Sequence, residues 1–377
     1  NKREKEVLYA PEIMEHALVS AMESVVLLKN ENYKGNPVLP LNSPGKIAVI
    51  GPMADSHLDM LGSWHGAGDA SKAVSVLDGI KNRFKGSTIK YLEGCDFGSE
   101  DRSGFRAAVS LAKASDVVIL AIGEREGLSG EAASRSDISI PGVQEELALE
   151  LLKTGKPVVI LLMGERMLTF PELDKQAGTL LYAWHLGTRG GDAIANILAG
   201  DFNPSAKLVM SIPRNVGQIP VYYNHKNTGR PKNDKNKFTS KYLDVENTPL
   251  YPFGFGISYT KFEYSNPSLN TTYLTMGEAL EITVEVKNTG NYDGTEIVQL
   301  YIRDLVGSVT RPVKELKGFQ KVFIRKGERA EVTFTLSSED LKFYNSQFEY
   351  VVEPGEFNVF VGPNSATDNK ISFTLNN

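Results

Sequence analysis

The hydrophobic period of this chain changes once, near Phe262, and that change constrains its fold more than any other feature. Before it, short unbroken apolar runs alternate with stretches whose apolar residues recur at helical spacing. After it, apolar and polar residues alternate strictly, as in 280–286 (LEITVEV) and 330–336 (AEVTFTL). A run that is apolar at every position is a strand buried on both faces, which requires helices on both sides of a mostly parallel sheet. Strict alternation is a strand with one dry and one wet face, the unit of an antiparallel sandwich.

Buried strands are expected at 47–50, 89–92, 117–122, 158–162 and 180–183, with crossover helices at 76–84, 105–114, 142–153 and 191–198. Val143, Leu147 and Leu151 illustrate the helical spacing. Pro141 stands where a helix can begin without losing a needed donor, and Gly155 followed by Pro157 stands where it should stop. Met14, Leu18, Ala21, Val25 and Leu28 predict one long amphipathic opening helix. From 218 to 251 neither period persists. Turn signals at Asn288-Thr289-Gly290, 325–328 (RKGE) and Glu353-Pro354-Gly355 divide the remainder into about seven strands, the size of an immunoglobulin-like sandwich. The predicted organisation is a helix and linker packed on the sheet domain (1–45), an α/β sandwich (46–215), a connector (216–261) and a β-sandwich (262–377).

Composition narrows the function classes. Lys plus Arg number 41 against 46 Asp plus Glu, a net charge of −5 with no basic block, which disfavours nucleic acid and anionic membrane as partners. No apolar run approaches the ~20 residues of a membrane-spanning helix. A single cysteine, Cys95, forbids an intrachain disulfide, and the five histidines, His16, His57, His65, His185 and His225, show no metal-ligand spacing. No metal or other cofactor is expected. No Gly-x-Ser-x-Gly elbow or dinucleotide fingerprint is present. Residues 1–6 (NKREKE) lack the apolar region of a signal peptide, so the chain is expected to be cytoplasmic or to have lost something upstream.

In open α/β sheets ligands bind beyond the carboxyl ends of the strands. The loop after 117–122 reads GEREGLSGEAASRSD from Gly123 to Asp137, with Glu124, Glu126, Glu131, Arg125 and Arg135 and no apolar stripe to explain them. Carboxyls on such a loop suit general acid/base work; a solvated surface loop with ordinary ion pairs is the competing reading. A second loop, 62–68 (GSWHGAG), holds Trp64 and His65, a sugar-stacking pocket wall or, equally, a plug in which Trp64 fills a domain interface.

Longer words then appear: 16–29 (HALVSAMESVVLLK), 47–52 (IAVIGP), 62–64 (GSW), 184–208 (WHLGTRGGDAIANILAGDFNPSAKL), 217–223 (GQIPVYY), 228–231 (TGRP), 251–260 (YPFGFGISYT) and 311–319 (RPVKELKGF). In these the chain resembles family three of the glycoside hydrolases, over essentially its whole length. The resemblance implies an N-terminal (β/α)8 barrel, an α/β sandwich and a C-terminal fibronectin type III-like domain, of which this chain matches the last two. The barrel, and with it the nucleophilic aspartate, is absent.

It further implies an exo-acting retaining β-glucosidase that hydrolyses terminal β-D-glucosyl residues. Glu131, in the Glu-x-x-x-Arg form ahead of Pro141, would be acid/base, with Arg135 beside it. Trp64, His65, Glu126 and Arg135 would line the substrate, and Glu124 and Glu126 remain alternative acids. The isolated chain is expected to be inactive. Its partners would be a β-glucoside or oligosaccharide and the missing barrel, and its location periplasmic or secreted. The alternative is a non-catalytic carbohydrate-site scaffold or binding module, with the β-sandwich buttressing it or making a homodimer.

Overall fold

The computed structural model describes Arg3 and residues 7–376. The reading of 1–6 therefore lies, Arg3 apart, outside the described residues, as does the start of the 1–45 segment. The chain divides into two units. One runs to Ala206 and includes Ile257–Tyr259; the other holds Lys207–Gly256 and Thr260 onward.

The first unit is built on a six-stranded sheet of β1 (Val26–Asn30), β2 (Lys46–Ile50), β3 (Thr88–Leu92), β4 (Val117–Gly123), β5 (Val158–Met163) and β6 (Thr179–Tyr182). Its order is β1-β6-β5-β4-β2-β3, parallel throughout except that β1 runs antiparallel to β6. Alternate residues of the central strands point to opposite sides. Val49, Ile119, Ala121, Val159 and Leu161 join Val76, Leu77 and Ile80 of α3 (Val76–Arg83) and Ile194, Ile197 and Leu198 of α7 (Gly190–Ala199) in one core. Val118, Leu120, Ile160 and Leu162, equally inaccessible, face the other side, where α4 (Phe105–Lys113) and α5 (Gln144–Leu152) pack with α6 (Pro171–Gln176). Burial on both faces is why these runs carry no polar partner.

The long opening helix is corrected. Helix α1 (Pro11–Met22) stops early, and Val25 to Leu28 run into the edge strand β1, paired with β6 through Val26–Tyr182 and Leu27–Leu181. A helix through four consecutive apolar residues would leave one side of them in water; at the sheet edge all four are buried. Two short helices, α2 (His57–Leu61) and α6, lack the length to show a period, and α5 begins at Gln144 rather than beside Pro141.

The second unit has nine strands in its two main sheets rather than seven: β7 (Phe262–Tyr264), β8 (Ser268–Leu269), β9 (Tyr273–Thr275), β10 (Ala279–Asn288), β11 (Gly294–Asp304), β12 (Glu315–Ile324), β13 (Arg329–Ser337), β14 (Gly355–Gly362) and β15 (Lys370–Asn376). One sheet runs β8-β10-β13 with β7 also on β10; the other runs β9-β15-β14-β11-β12. The additional strands, β8 and β9, hold two and three residues, too short to display a period of two. Leu280, Ile282, Val284, Val332 and Phe334 of one sheet meet Val298, Leu300, Phe357, Val359 and Val361 of the other. Within this unit Tyr223 stacks on Phe253 at 4.4 Å and meets the ring of Tyr301 edge-on at 5.8 Å, while Gln299 Nε2 donates to the Gly254 carbonyl at 3.1 Å.

Candidate active site

Because β2, β4, β5 and β6 are parallel, the loops that follow them emerge at one end of the sheet. The loop after β4 begins with a backbone that only glycine tolerates. Gly123 has φ +146°, and a Cβ there would lie 1.7 Å from the Met163 carbonyl oxygen on β5. Gln144 seals this exit: its Oε1 accepts from Gly123 N at 2.9 Å, and its Nε2 donates to the Gly123 and Phe97 carbonyls, each at 2.9 Å.

Glu124 is the next residue, with its side chain fully buried. Arg135 Nη1 donates to one carboxylate oxygen, and Arg166 Nε donates to the other at 2.9 Å. Burying a carboxylate is costly unless it is paired and hydrogen-bonded, and here both oxygens are taken. The same guanidinium groups reach the loop backbone. Arg166 Nη2 donates to the Leu128 carbonyl and, at 2.8 Å, to that of Ala133, while Arg135 Nη2 donates to the Ser139 carbonyl at 3.2 Å.

A second cluster joins the loops after β2, β5 and β6. Ser63 donates from its backbone N and its Oγ to the two oxygens of Glu165, both at 2.6 Å. His185 Nδ1 lies 3.5 Å from Glu165 Oε1, and its Nε2 is 2.9 Å from the Glu124 carbonyl oxygen. Trp184, at φ +49°, turns the chain into this position. Burial by itself would raise the Glu165 carboxyl; the two Ser63 hydrogen bonds, aided by His185, outweigh it and hold the group below the usual carboxylate range. Asp59 is buried in α2 and accepts from Ser56 Oγ at 2.5 Å and from the Glu126 backbone N at 2.7 Å.

The structure places the sequence-derived residues as follows. Glu131 is exposed at the loop tip, between Gly130 (φ +91°) and Ala132 (φ +59°). A Cβ on Gly130 would come within 2.7 Å of Ser63 Oγ and 3.4 Å of Trp64 Nε1, so the absent side chain lets the 62–68 loop reach the residue beside Glu131. Trp64 is 73% exposed. His65 is half-buried, and its Nδ1 has no hydrogen-bond partner among the described residues. Glu126 is half-buried and tied by its backbone to Asp59. Arg135 meets Glu124, not Glu131.

Asp59, Glu165, Arg166 and His185 escaped the sequence reading. The rule that ligands sit beyond strand carboxyl ends pointed at 164–166 (GER), directly after β5, as plainly as at the loop after β4. A cavity of about 380 Å³ lined by Tyr33, Pro44, Asp116 and Pro157 lies at the opposite, amino-terminal ends of β4 and β5, away from these loops.

Two family models match this arrangement: the glycosyl hydrolase family 3 C-terminal domain over residues 25–259 and a fibronectin type III-like domain over 296–365. A periplasmic beta-glucosidase of Salmonella typhimurium is 45% identical, covering 94% of this chain and 49% of its own length. A beta-xylosidase of Formosa agariphila is 40% identical, covering 96% of this chain and 50% of its own length. The crystal structure of a beta-glucosidase from Listeria innocua in complex with isofagomine superposes with a TM-score of 0.93 at 40% identity, over 100% of this chain and 51% of that one. The chain spans about half the length of the curated relatives it matches.

Proposed function

The chain belongs to glycosyl hydrolase family 3, and on that premise we propose that it forms part of an exo-acting retaining β-glucosidase in which Glu131 is the acid/base. The aspartate nucleophile and most contacts to the terminal sugar come from a (β/α)8 barrel that these residues do not contain. In the first step the aspartate attacks the anomeric carbon while Glu131 hands its proton to the departing glycosidic oxygen. In the second, the Glu131 carboxylate takes a proton from water, which attacks the same carbon and releases the aspartate. The substrate is a terminal β-D-glucosyl residue of a β-glucoside or oligosaccharide. The location is periplasmic or secreted, a reading supported by the name of the Salmonella relative.

One observation carries the choice among the three glutamates. Both oxygens of Glu124 are buried under arginines, whereas Glu131 is exposed at the loop tip, next to the residue that Ser63 and Trp64 approach. A carboxyl that must touch a leaving group needs access before it needs anything else. Trp64 and His65 would then border the leaving-group side, while Glu126 and Arg135 support the loop from beneath.

The test is Glu131→Gln in the full-length enzyme. The expected result is a fall of about 10²–10⁴-fold in kcat/KM on an alkyl β-glucoside. The loss should be much smaller on a dinitrophenyl glucoside, whose leaving group needs no proton, and added azide should yield a β-glucosyl azide. Unchanged turnover on the alkyl glucoside would sink the assignment and leave the domain as a scaffold for a sugar site.

A further inference from the structure

Arg166 stands on the short loop after β5, outside the loop that carries Glu131, yet it makes three separate contacts to that neighbouring loop. Nε donates to the Glu124 carboxylate at its base; Nη2 donates to the Leu128 carbonyl before the tip and, at 2.8 Å, to the Ala133 carbonyl after it. Between the two clasped carbonyls lie Ser129, Gly130, Glu131 and Ala132. That stretch includes two positive-φ residues, Gly130 and Ala132, and lies outside any helix or strand. Arg135 ties the far end of the same loop to Glu124 and to the Ser139 carbonyl.

We propose that Arg166 is the positioning residue of the acid/base: with buried Glu124 as its anchor, it pinches the loop at Leu128 and Ala133 and so fixes where the exposed Glu131 carboxyl stands. This rests on the reading of Glu131 given above. The chemistry fits arginine and not lysine. A planar guanidinium presents several donors in a fixed fork and can satisfy a carboxylate and two carbonyls at once, whereas an ammonium on a flexible stem cannot span the same three acceptors. The role is geometric because proton transfer to a leaving oxygen tolerates little displacement; an error of about 1 Å costs on the order of 10²-fold.

The experiment combines two readouts on the full-length enzyme carrying Arg166→Lys or Arg166→Ala. The first is amide hydrogen exchange of peptides from 125–139. The second is kcat on alkyl and on dinitrophenyl β-glucosides. The expected result is faster exchange at 128–134 in both variants, with kcat on the alkyl glucoside down on the order of 10²-fold, KM little changed, and kcat on the dinitrophenyl glucoside down less than about tenfold. A merely structural role would lower both substrates together.

Unchanged exchange at 128–134, or an equal loss on both substrates, overturns the proposal. If Arg166→Ala fails to fold, Glu124→Gln combined with Arg166→Met removes one charge of each sign, leaves the net charge of the cluster unchanged and keeps the space filled while removing the carbonyl donors, and the same two readouts apply. Failure of the acid/base reading is separable: Glu131→Gln would then be silent on both substrates whatever Arg166 does to the loop.

Discussion

At the scale of single residues, two groups have environments that fix their behaviour. The Glu165 carboxyl is only about a quarter exposed and receives both Ser63 donors. Its folded-state pKa lies below the ordinary 4.5, so the stabilisation it gives is complete above about pH 4.5 and is lost as pH falls through the lower folded value. Ser63→Ala removes the hydroxyl donor while leaving the backbone one. It should cost about 1.5–3 kcal/mol at pH 7, the worth of a hydrogen bond to a charged group, and should reduce the stability lost between pH 7 and pH 3.5. Urea unfolding of both proteins at the two pH values measures this; equal losses on acidification would contradict it.

Cys95 is 7% exposed, and burial, with Glu93 and Asp96 nearby, pushes its thiol up to about 12. At pH 8 little of it is thiolate, and alkylation in the folded protein should be much slower than that of a free cysteine. Rapid labelling without denaturant would contradict the packing around it. The cysteine was visible in the sequence, but its inertness was not, because burial is a property of the fold.

Among elements, helices α3 and α7 approach backbone to backbone. A Cβ on Gly79 would sit 2.0 Å from the Gly191 carbonyl oxygen, and one on Gly191 would sit 1.9 Å from that of Ser75. Two effects of Gly79→Ala oppose each other. Alanine favours a helix interior over glycine by about 1 kcal/mol, but a contact of 2 Å with backbone cannot be relieved by a rotamer change, so the helices must separate and the core between them loosens. The clash wins, and a net loss of about 2 kcal/mol is expected by denaturant titration; a stabilised variant would mean that α3 and α7 are farther apart than described.

The strands of the parallel sheet were legible to within a residue or two because burial on both faces leaves an unbroken apolar signature. The edge strand β1 was not, since 25–28 (VVLL) satisfies a helical stripe as well as a strand, and only its pairing with β6 decides between them.

For the molecule as a whole, the proposed acid/base reading calls for a second carboxyl, which that reading assigns to a barrel. A retaining site places two carboxyls about 5 Å apart, and on the proposed reading the aspartate that must face the exposed Glu131 belongs to the barrel. The 377-residue chain by itself should therefore turn over aryl β-glucosides at the uncatalysed rate, and mixing with its barrel should restore activity. Robust hydrolysis by the chain alone, measured by nitrophenol release, would refute the division of the site between domains.

What the sequence determined by itself was the pair of folds and the family, because hydrophobic period and long ordered words are local and survive reading in one dimension. It also marked the loop after β4 as a place for chemistry, through carboxylates that no apolar stripe explained. The tertiary structure decided which carboxylate is reachable. Glu124 and Glu131 are seven positions apart on one polar loop and look alike in the sequence; one is sealed under Arg135 and Arg166 and the other is left in solvent. That distinction depends in part on Arg166, which comes from the loop after a different strand, and contacts between loops that are distant in sequence leave no period for a sequence to show.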